Sequence, residues 1–188
     1  MADIKERSKS TFNQQADTYD EDIHGQHART LYPVLLSKLA HIPFQRALDL
    51  GCGTGEMMKM LLQADDQREL YGIDLSEKML SVAESKLSGK VQLVLGDSEH
   101  LPFADNFFDV VYCNDSFHHY PAPENVIGEV QRVLKPGGTF LIGDCWQPLV
   151  GRAIMNFYMR HSKEGDVKIY SKEEMVSLLS QSFHDISW

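Results

Sequence analysis

Three glycines at alternate positions follow a short apolar run in the sequence ALDLGCGTGE, residues 47–56. The run ends in an acid, Asp49, directly before the glycines begin. Glycine is costly inside regular structure, so such a cluster is typical of a turn with unusual dihedral angles or of backbone that a ligand approaches closely. The stretch therefore predicts a ligand-binding turn after a strand, with four candidate residues: Gly51, Cys52, Gly53 and Gly55.

Polar residues also fall where further strands are expected to end, at Asp74, Asp97 and Asn114. A carboxylate at Asp74 can accept hydrogen bonds from both hydroxyls of a ribose. The Asp97 carboxylate can accept from an adenine amino group while the backbone at Ser98 donates to the ring. Asp49 can balance an ammonium group, and a helix amino terminus can bind a carboxylate. A diol, an adenine, an ammonium and a carboxylate together indicate S-adenosylmethionine.

The same residues leave other interpretations open. A glycine-rich turn followed by an acid also suits NAD, but the dinucleotide pattern is GxGxxG, whereas this chain has GxGxG. Glu56 stands where a pyrophosphate would bind, which disfavours that reading. In a purely structural interpretation, Asp74 begins a helix and Asp97 forms an Asx turn.

Strand-like and helix-like segments alternate along the chain, which predicts βαβ units, a parallel sheet and right-handed crossovers. Helix-stop and helix-start signals accompany the pattern, including Lys135 to Gly138, an N-cap at Ser76 and a capping box from Ser171 to Glu174. Residues 8–42 are expected to be helical, with Pro33 as a helix start or kink. The predicted strands are 46–50, 70–74, 91–96, 107–113, 139–144 and 182–188, and the predicted helices are 56–63, 76–87, 122–134 and 172–181.

Four stretches resemble, in order, the successive motifs of class I SAM-dependent methyltransferases: ALDLGCGTGE, GIDLSEKML, GDSEHLPFADNFFDVVYC and RVLKPGGTFLIGD. The resemblance covers about residues 12–144 and is greatest to the small-molecule branch typified by ubiquinone/menaquinone-biosynthesis methyltransferases. It implies an α/β, Rossmann-like, mostly parallel twisted sheet with helices on both faces, and methyl transfer by in-line displacement. The family's sheet has seven strands, and because the sequence given ends at Trp188 we expect either a truncated chain or a sheet of six strands.

The resemblance also implies roles for particular residues. Tyr19 corresponds to a family tyrosine that covers the cofactor, and GIDLSEKML adds Leu75 and Met79 to the cofactor-binding residues. We expect a single methyltransferase domain, in which 1–42 form a helical lid and 43–145 the SAM-binding core. Residues 146–170, which carry Met155, Phe157, Tyr158 and Met159, then form an acceptor-side cover, and 171–188 a helix and a strand. Those four apolar residues belong either to the core or to the acceptor pocket.

Histidines are the candidate bases. His118 and His119 follow the fourth strand, and His24 and His27 lie in the predicted lid. An imidazole titrates near neutrality, so His119 or His118 is the candidate general base if the acceptor must lose a proton. A zinc site is disfavoured because adjacent histidines rarely point to one centre and no pair of thiols joins them. We expect no bound metal.

Composition narrows the range of partners. The net charge of −9 argues against a broad nucleic-acid or anionic-membrane surface, although a local basic patch remains compatible with it. Three scattered cysteines, an amino terminus without an apolar signal and no apolar run of about 18 residues indicate a cytoplasmic protein without a membrane span. The segment Asn114-Asp115-Ser116-Phe117 differs from the Asn/Asp-Pro-Pro-aromatic pattern of nucleic-acid and protein amino methyltransferases, which favours a small acceptor.

Three functions are therefore compared. The first is a SAM-dependent methyltransferase acting on a small apolar, phenolic or quinol-like acceptor. The second is a non-catalytic SAM-binding protein, and the third is an NAD-dependent oxidoreductase, which the GxGxG spacing disfavours. The sequence determines neither the acceptor nor the oligomeric state.

Overall fold

The fold is an α/β arrangement, seen in a computed structural model that describes residues 2–159, 162 and 164–188. The strands are β1 Arg46–Leu50, β2 Glu69–Asp74, β3 Gln92–Leu95, β4 Phe108–Asn114 and β5 Leu134–Gly143. The helices are α1 Ala2–Gln15, α2 Gln26–Leu39, α3 Glu56–Ala64, α4 Glu77–Leu87, α5 Pro123–Val133, α6 Leu149–Met159 and α7 Lys172–Leu179, with a 3-10 turn at Phe117–His119.

The five strands form one sheet in the order β3-β2-β1-β4-β5, and every neighbouring pair is parallel. The chain builds outward from β1 to β3 and then returns to place β4 on the other side of β1. The strand order therefore reverses between β1 and β4, and in sheets of this kind ligands bind at the carboxyl ends of the strands at that point.

Alternate residues of the central strands enter two separate cores, because successive side chains in a strand point to opposite faces. Val110 and Tyr112 of β4 pack with α2, α3 and α4 on one face. Val111 and Cys113 pack with α5 and α7 on the other. Both faces of the central strands are thereby buried, as the sequence predicts for a parallel sheet.

Two of the predicted helix starts are confirmed in detail. Ser76 caps α4 by accepting a hydrogen bond from the backbone of Met79, and Ser171 and Glu174 form the reciprocal capping box of α7. The segment 134–138 continues β5 through a register irregularity rather than ending before the strand begins. Its Leu134 pairs with Phe108 at the start of β4.

The amino-terminal region differs from the continuous helical stretch that we predicted. Helices α1 and α2 are separate, and residues 16–25 form a strap between them. Pro33 lies inside α2 rather than at its start. Arg29 fixes the strap by donating to the backbone oxygens of Tyr19, at 2.8 Å, and Asp22, at 2.5 Å.

The predicted sixth strand, residues 182–188, is wrong: this segment has no strand pairing in the structure. Asp185 adopts a positive φ of 57°, which interrupts the extended conformation that a strand requires. Phe183 is nevertheless anchored, since its ring lies 5.8 Å from that of Phe140 on β5. Within the described residues, the sheet thus has five strands.

The predicted core-or-pocket role of Met155, Phe157, Tyr158 and Met159 is also wrong. All four lie on α6, a helix in which no residue is buried, and none of them lines the cleft described below. The predicted cover 146–170 includes 160, 161 and 163, which lie outside the described residues. No helix in the described part of the chain is long and apolar enough to cross a membrane.

Candidate functional site

A cleft opens at the carboxyl ends of the strands, where the strand order reverses. Helix α1 and the strap lie over it, and the glycine turn and the loop after β4 form its floor. Two of the predicted site residues, Gly55 and His118, do not line this cleft. The structure brings the other predicted residues together there: Tyr19, Asp49, Gly51, Cys52, Gly53, Asp74, Leu75, Met79, Asp97, Ser98, Asn114 and His119.

The glycine turn contains two kinds of glycine. A side chain at Gly53 would meet no described atom within 4 Å, and its φ of 52° suits glycine, so its backbone is exposed to the cleft. Gly55 precedes α3, and a side chain there would lie 2.8 Å from Leu87 and 3.1 Å from Ala83. Gly55 is therefore needed for close packing of α3 on α4, and its predicted role in cofactor binding stays a prediction.

Asp74 joins the glycine turn to β2. Its Oδ2 accepts a hydrogen bond from the backbone of Gly53, and its Oδ1 accepts one from the backbone of Ser76, both at 2.8 Å. Each carboxylate oxygen can accept more than one hydrogen bond, so a ribose can still bind. Asp74 thus holds the turn in shape and also lines the cleft. Burial raises its pKa, although those backbone donors oppose the shift.

Asp49 is the most deeply buried acid of the cleft, with 2% of its surface exposed. Burial, together with a smaller effect of the nearby Asp74 charge, raises the pKa of Asp49 to about 8. The Tyr112 hydroxyl, also buried, makes no well-aligned hydrogen bond within the described residues. A cation bound beside Asp49 would therefore reverse its protonation near neutral pH.

Asp97, predicted to contact adenine, already has a partner. The ammonium of Lys5 on α1 lies 2.6 Å from Asp97 Oδ2 and 2.7 Å from Glu99 Oε2. An adenine amino group at Asp97 would have to share that carboxylate with Lys5 or displace it. The contact ties α1 across the cleft to the end of β3.

Asn114, at the end of β4, has a polar atom without a partner. Its amide nitrogen donates weakly to the Ala28 carbonyl at 3.4 Å. Its Oδ1 is buried and accepts no hydrogen bond in the part of the chain that the structure describes. A buried unsatisfied acceptor is costly, and a donor on a bound ligand would satisfy it.

His119 is the one predicted base that faces the cleft. Burial lowers its pKa well below the ordinary value, and the charge of His118 lowers it further, so the ring is neutral. Its Nδ1 lies 3.2 Å from an Asp166 oxygen but makes no well-aligned hydrogen bond there. The ring contacts Phe12 edge-on, with centroids 5.2 Å apart. A neutral imidazole with an available nitrogen can accept a proton.

The proposal of His118 as a base is not supported by the geometry. Its Nδ1 lies 2.6 Å from Asp144 Oδ1, and its backbone N–H donates to the same carboxylate at 2.9 Å. Although burial alone would lower its pKa, Asp144 raises the pKa of His118 well above its ordinary value. His118 is therefore already protonated at neutral pH and lies outside the cleft. The centroid of its ring lies 4.0 Å from that of His119, and the two rings are tilted by 39°.

The same histidines belong to two groups of side chains whose potential metal-ligating atoms lie within 4.8 Å of one another. These groups are His118, His119 and Asp166, and His118, Asp144 and Cys145. The close His118–Asp144 ion pair satisfies both of those side chains without a metal. The expected absence of a metal stays a prediction.

Residues that the sequence analysis missed form much of the cleft wall. One face of α1 contributes Lys5, Ser8, Lys9 and Phe12. Their spacing of three to four residues is helical and could have identified this face. In the loop after β4, Ser116 Oγ donates to the Leu50 carbonyl at 2.8 Å and lies 3.0 Å from the Tyr120 hydroxyl. No sequence pattern that we used singled out Ser116 or Tyr120.

Comparison with known proteins identifies the family. The protein-family model described as a methyltransferase domain matches residues 48–142, half of the chain, from β1 to β5. This chain belongs to the methyltransferase domain family. The demethylmenaquinone methyltransferase of Geobacillus kaustophilus is 36% identical over 151 residues, which cover 77% of this chain and 61% of the relative. The enzyme of the same name from Bacillus cereus is 32% identical over 152 residues, covering 78% and 61%.

Solved structures agree with the family's fold. The YcgJ protein of Bacillus subtilis has a TM-score of 0.70 at 30% identity and covers 80% of this chain and 67% of its own. The [4+2]-cyclase SpnF has a TM-score of 0.67 at 25% identity, covering 86% and 58%. The Rossmann-like class I methyltransferase fold is thereby confirmed, and the cyclase shows that related proteins are not all named for methyl transfer. The chain spans about 60% of the length of the curated relatives described above.

Proposed function

We propose that this chain binds S-adenosylmethionine in the cleft and transfers its methyl group to a small acceptor that is apolar, phenolic or quinol-like. The observation that carries the proposal is the meeting of the glycine turn with the polar ends of four parallel strands in one cleft. No single one of these residues would identify the ligand, but their convergence matches its separate chemical groups.

The charge of the cleft supports a cationic ligand over a diphosphate. Four acids line it, Asp49, Asp74, Asp97 and Asp115, against two cations, Lys5 and Lys9. Directly after the turn, Glu56 begins α3 and pairs with Lys59 and Lys86. These lysines offset the charge of Glu56, so the repulsion of a dinucleotide's phosphates comes from the acids that line the cleft. S-adenosylmethionine has an ammonium and a sulfonium and no phosphate, so it fits these residues.

In this proposal, Asp74 accepts from the ribose hydroxyls and Asn114 Oδ1 accepts a donor of the methionine end. Asp49, ionised by the neighbouring cation, balances the ammonium. The exposed backbone of Gly53 allows close approach of the ligand. Each role uses an acceptor or a space that the structure already provides.

When bound, S-adenosylmethionine supplies a methyl group on a sulfonium that becomes neutral as the methyl leaves. The protein contributes chiefly orientation, which can supply several kcal/mol, about 7–11 in favourable intramolecular cases. Helix α1 and the strap cover the cleft and exclude water. If the acceptor must lose a proton, His119 is the candidate base that lines the cleft, and its Nδ1 lies 3.2 Å from an Asp166 oxygen.

The nature of the acceptor is inferred from the wall of the cleft and from the relatives. Aromatic side chains line the cleft. The Phe12 ring contacts the rings of Tyr19 and His119 edge-on, with centroids 6.0 and 5.2 Å apart. Such walls suit a planar apolar ring. The name demethylmenaquinone methyltransferase, given to the relatives, agrees with a quinol-like acceptor. We also infer a cytoplasmic location and no nucleic-acid partner.

Two measurements test the proposal. Titration calorimetry with S-adenosylmethionine and, separately, NAD should show binding of the first only, and the reverse result would favour an oxidoreductase. Methyl transfer to a panel of quinols and phenols should give a methylated product. Tight binding of S-adenosylmethionine with no transfer to any member of the panel would favour the non-catalytic alternative.

A further inference from the structure

Helix α6 presents its apolar side to solvent. The exposed positions form a continuous stripe with the spacing of one helical face, and Trp146 lies just before them. The exposed fractions reach 71% at Leu149 and Val150. The stripe comprises Leu149, Val150, Ala153, Ile154, Phe157 and Tyr158.

The inward side of α6 is held by a polar residue. Asn156 donates to the Ile169 carbonyl at 3.0 Å, and its Oδ1 accepts from the Ile169 backbone at 2.8 Å. An ordinary surface helix buries its apolar face and exposes its polar one. Here the orientation is inverted, so the apolar stripe is fixed outward by the fold. A large exposed apolar patch of this kind marks an interaction surface.

The charge of the surrounding sequence indicates what the stripe contacts. Residues 145–163 contain Arg152, Arg160 and Lys163 and no acid, although the whole chain has a net charge of −9. The two acids that flank this segment have partners, since Asp144 pairs with His118 and Glu164 lies 3.3 Å from His24. On α7, Glu174 is paired with Lys168 at 2.7 Å. Apolar residues combined with basic ones suit an anionic lipid surface, into which the apolar side inserts while the cations contact the headgroups.

We propose that α6 with Trp146 is a docking surface for an anionic lipid bilayer. The helix has 11 residues, about half of the length that crosses a bilayer, so it lies in the interface plane. A second copy of this chain is a poorer occupant, because a two-fold contact would bring the same basic segment of both copies together. Lipid docking does not depend on the proposed methyl transfer.

The docking surface is connected to the cleft through one segment. Ile169 bonds to Asn156 of α6. The two residues before it, Val167 and Lys168, donate their backbone N–H groups to the His118 carbonyl at 2.8 and 3.2 Å. His118 and the cleft residue His119 share one 3-10 turn. A protein docked through α6 would therefore hold its cleft close to the lipid surface, where an apolar acceptor would be available.

Vesicle binding tests the docking. The chain contains two tryptophans, so Trp188→Phe leaves Trp146 as the sole reporter next to the stripe. Vesicles of phosphatidylglycerol and phosphatidylcholine should shift the Trp146 emission to shorter wavelength and sediment the protein, whereas pure phosphatidylcholine should bind far less. Raising the salt concentration should weaken the binding, and Arg152→Gln should weaken it about fivefold.

The matched variants are Val150→Ser with Ile154→Ser on the stripe, and Leu95→Ser on β3 as a control. Leu95 is an equally exposed apolar residue, at 57%, on the opposite edge of the sheet. The stripe variant should lose more than about tenfold in partition, because two inserted apolar side chains are removed, and the control should not. All three sites are exposed, so unchanged circular dichroism is expected.

Absence of wild-type binding to both kinds of vesicle overturns the proposal. Equal binding by the stripe variant overturns it as well, since another surface would then be responsible. A dimer in sedimentation velocity that depends on the stripe, without vesicle binding, assigns the surface to a second copy instead. Because none of these readings requires turnover, they are independent of whether methyl transfer is detected.

Discussion

We predict that the protonation of Asp49 makes cofactor binding depend on pH. Burial raises its pKa to about 8, so in the ligand-free protein this carboxyl is mostly neutral at pH 6. A cationic ligand beside Asp49 favours the ionised form. We therefore expect S-adenosylmethionine to bind with release of a proton and to bind more tightly as the pH rises.

The size of the effect follows from the pKa. At pH 6 about one carboxyl in a hundred is ionised, and at pH 8 about half are. Affinity should thus increase roughly tenfold per pH unit below 8 and level off above it. The stability of the ligand-free protein changes with pH in the opposite direction. Because the folded pKa is raised, Asp49 stabilises the fold most at acidic pH, and this contribution falls by about 1.4 kcal/mol per unit between the ordinary value of 3.8 and about 8.

Calorimetry in two buffers with different ionisation enthalpies measures the released protons directly. Asp49→Asn should abolish most of the proton release and flatten the affinity between pH 6 and 8, leaving the smaller contribution of Asp74. Asp105→Asn is the control, because Asp105 lies in a remote loop with its side chain 69% exposed. Equal proton release by wild type and Asp49→Asn, or an affinity independent of pH, would refute the assignment of Asp49.

Three further predictions concern the turn and the lid. Asp74→Ala should weaken S-adenosylmethionine binding at least about 100-fold, because it removes hydrogen bonds from a charged acceptor worth about 1.5–3 kcal/mol each; unchanged affinity in calorimetry would exclude the ribose role. Gly53→Val should abolish binding and also lower the melting temperature, because valine is strained at a φ of 52°. Gly138→Ala, whose added carbon lies 2.9 Å from a backbone oxygen, should lower the melting temperature and retain binding; loss of binding in a folded Gly138→Ala protein would contradict this division. In hydrogen exchange, S-adenosylmethionine should protect residues 12–27 more than α7, and equal protection would mean that the strap does not act as a lid.

Much of the sheet and of its ligand end could be predicted from sequence because local signals coincide there. Strand β1 was predicted to the residue, and Ser76 and Ser171 cap their helices as expected. In a parallel sheet the carboxyl ends of neighbouring strands meet, so polar residues at those ends converge even when they are far apart in the chain. For this reason Asp49, Asp74, Asp97 and Asn114 were found without a structure.

The remainder depended on tertiary contacts. The segment 182–188 has strand-like composition, but Asp185 adopts a left-handed conformation that no pattern signals. His118 and His119 are adjacent in sequence, yet an ion pair with Asp144 makes one cationic and leaves the other neutral in the cleft. The apolar residues of α6 were expected to be covered, and it is the bonding of Asn156 to Ile169 that turns them outward.

The central claim is that this cleft binds S-adenosylmethionine and transfers its methyl group. The most direct measurement is a single-turnover reaction of the protein with S-adenosylmethionine labelled in its methyl group and a demethylated naphthoquinol acceptor, followed by mass spectrometry. We predict one labelled methyl on the acceptor and an equal amount of S-adenosylhomocysteine, both lost with Gly53→Val. Label that stays on S-adenosylmethionine although the ligand binds, or transfer that is undiminished in Gly53→Val, would contradict the account.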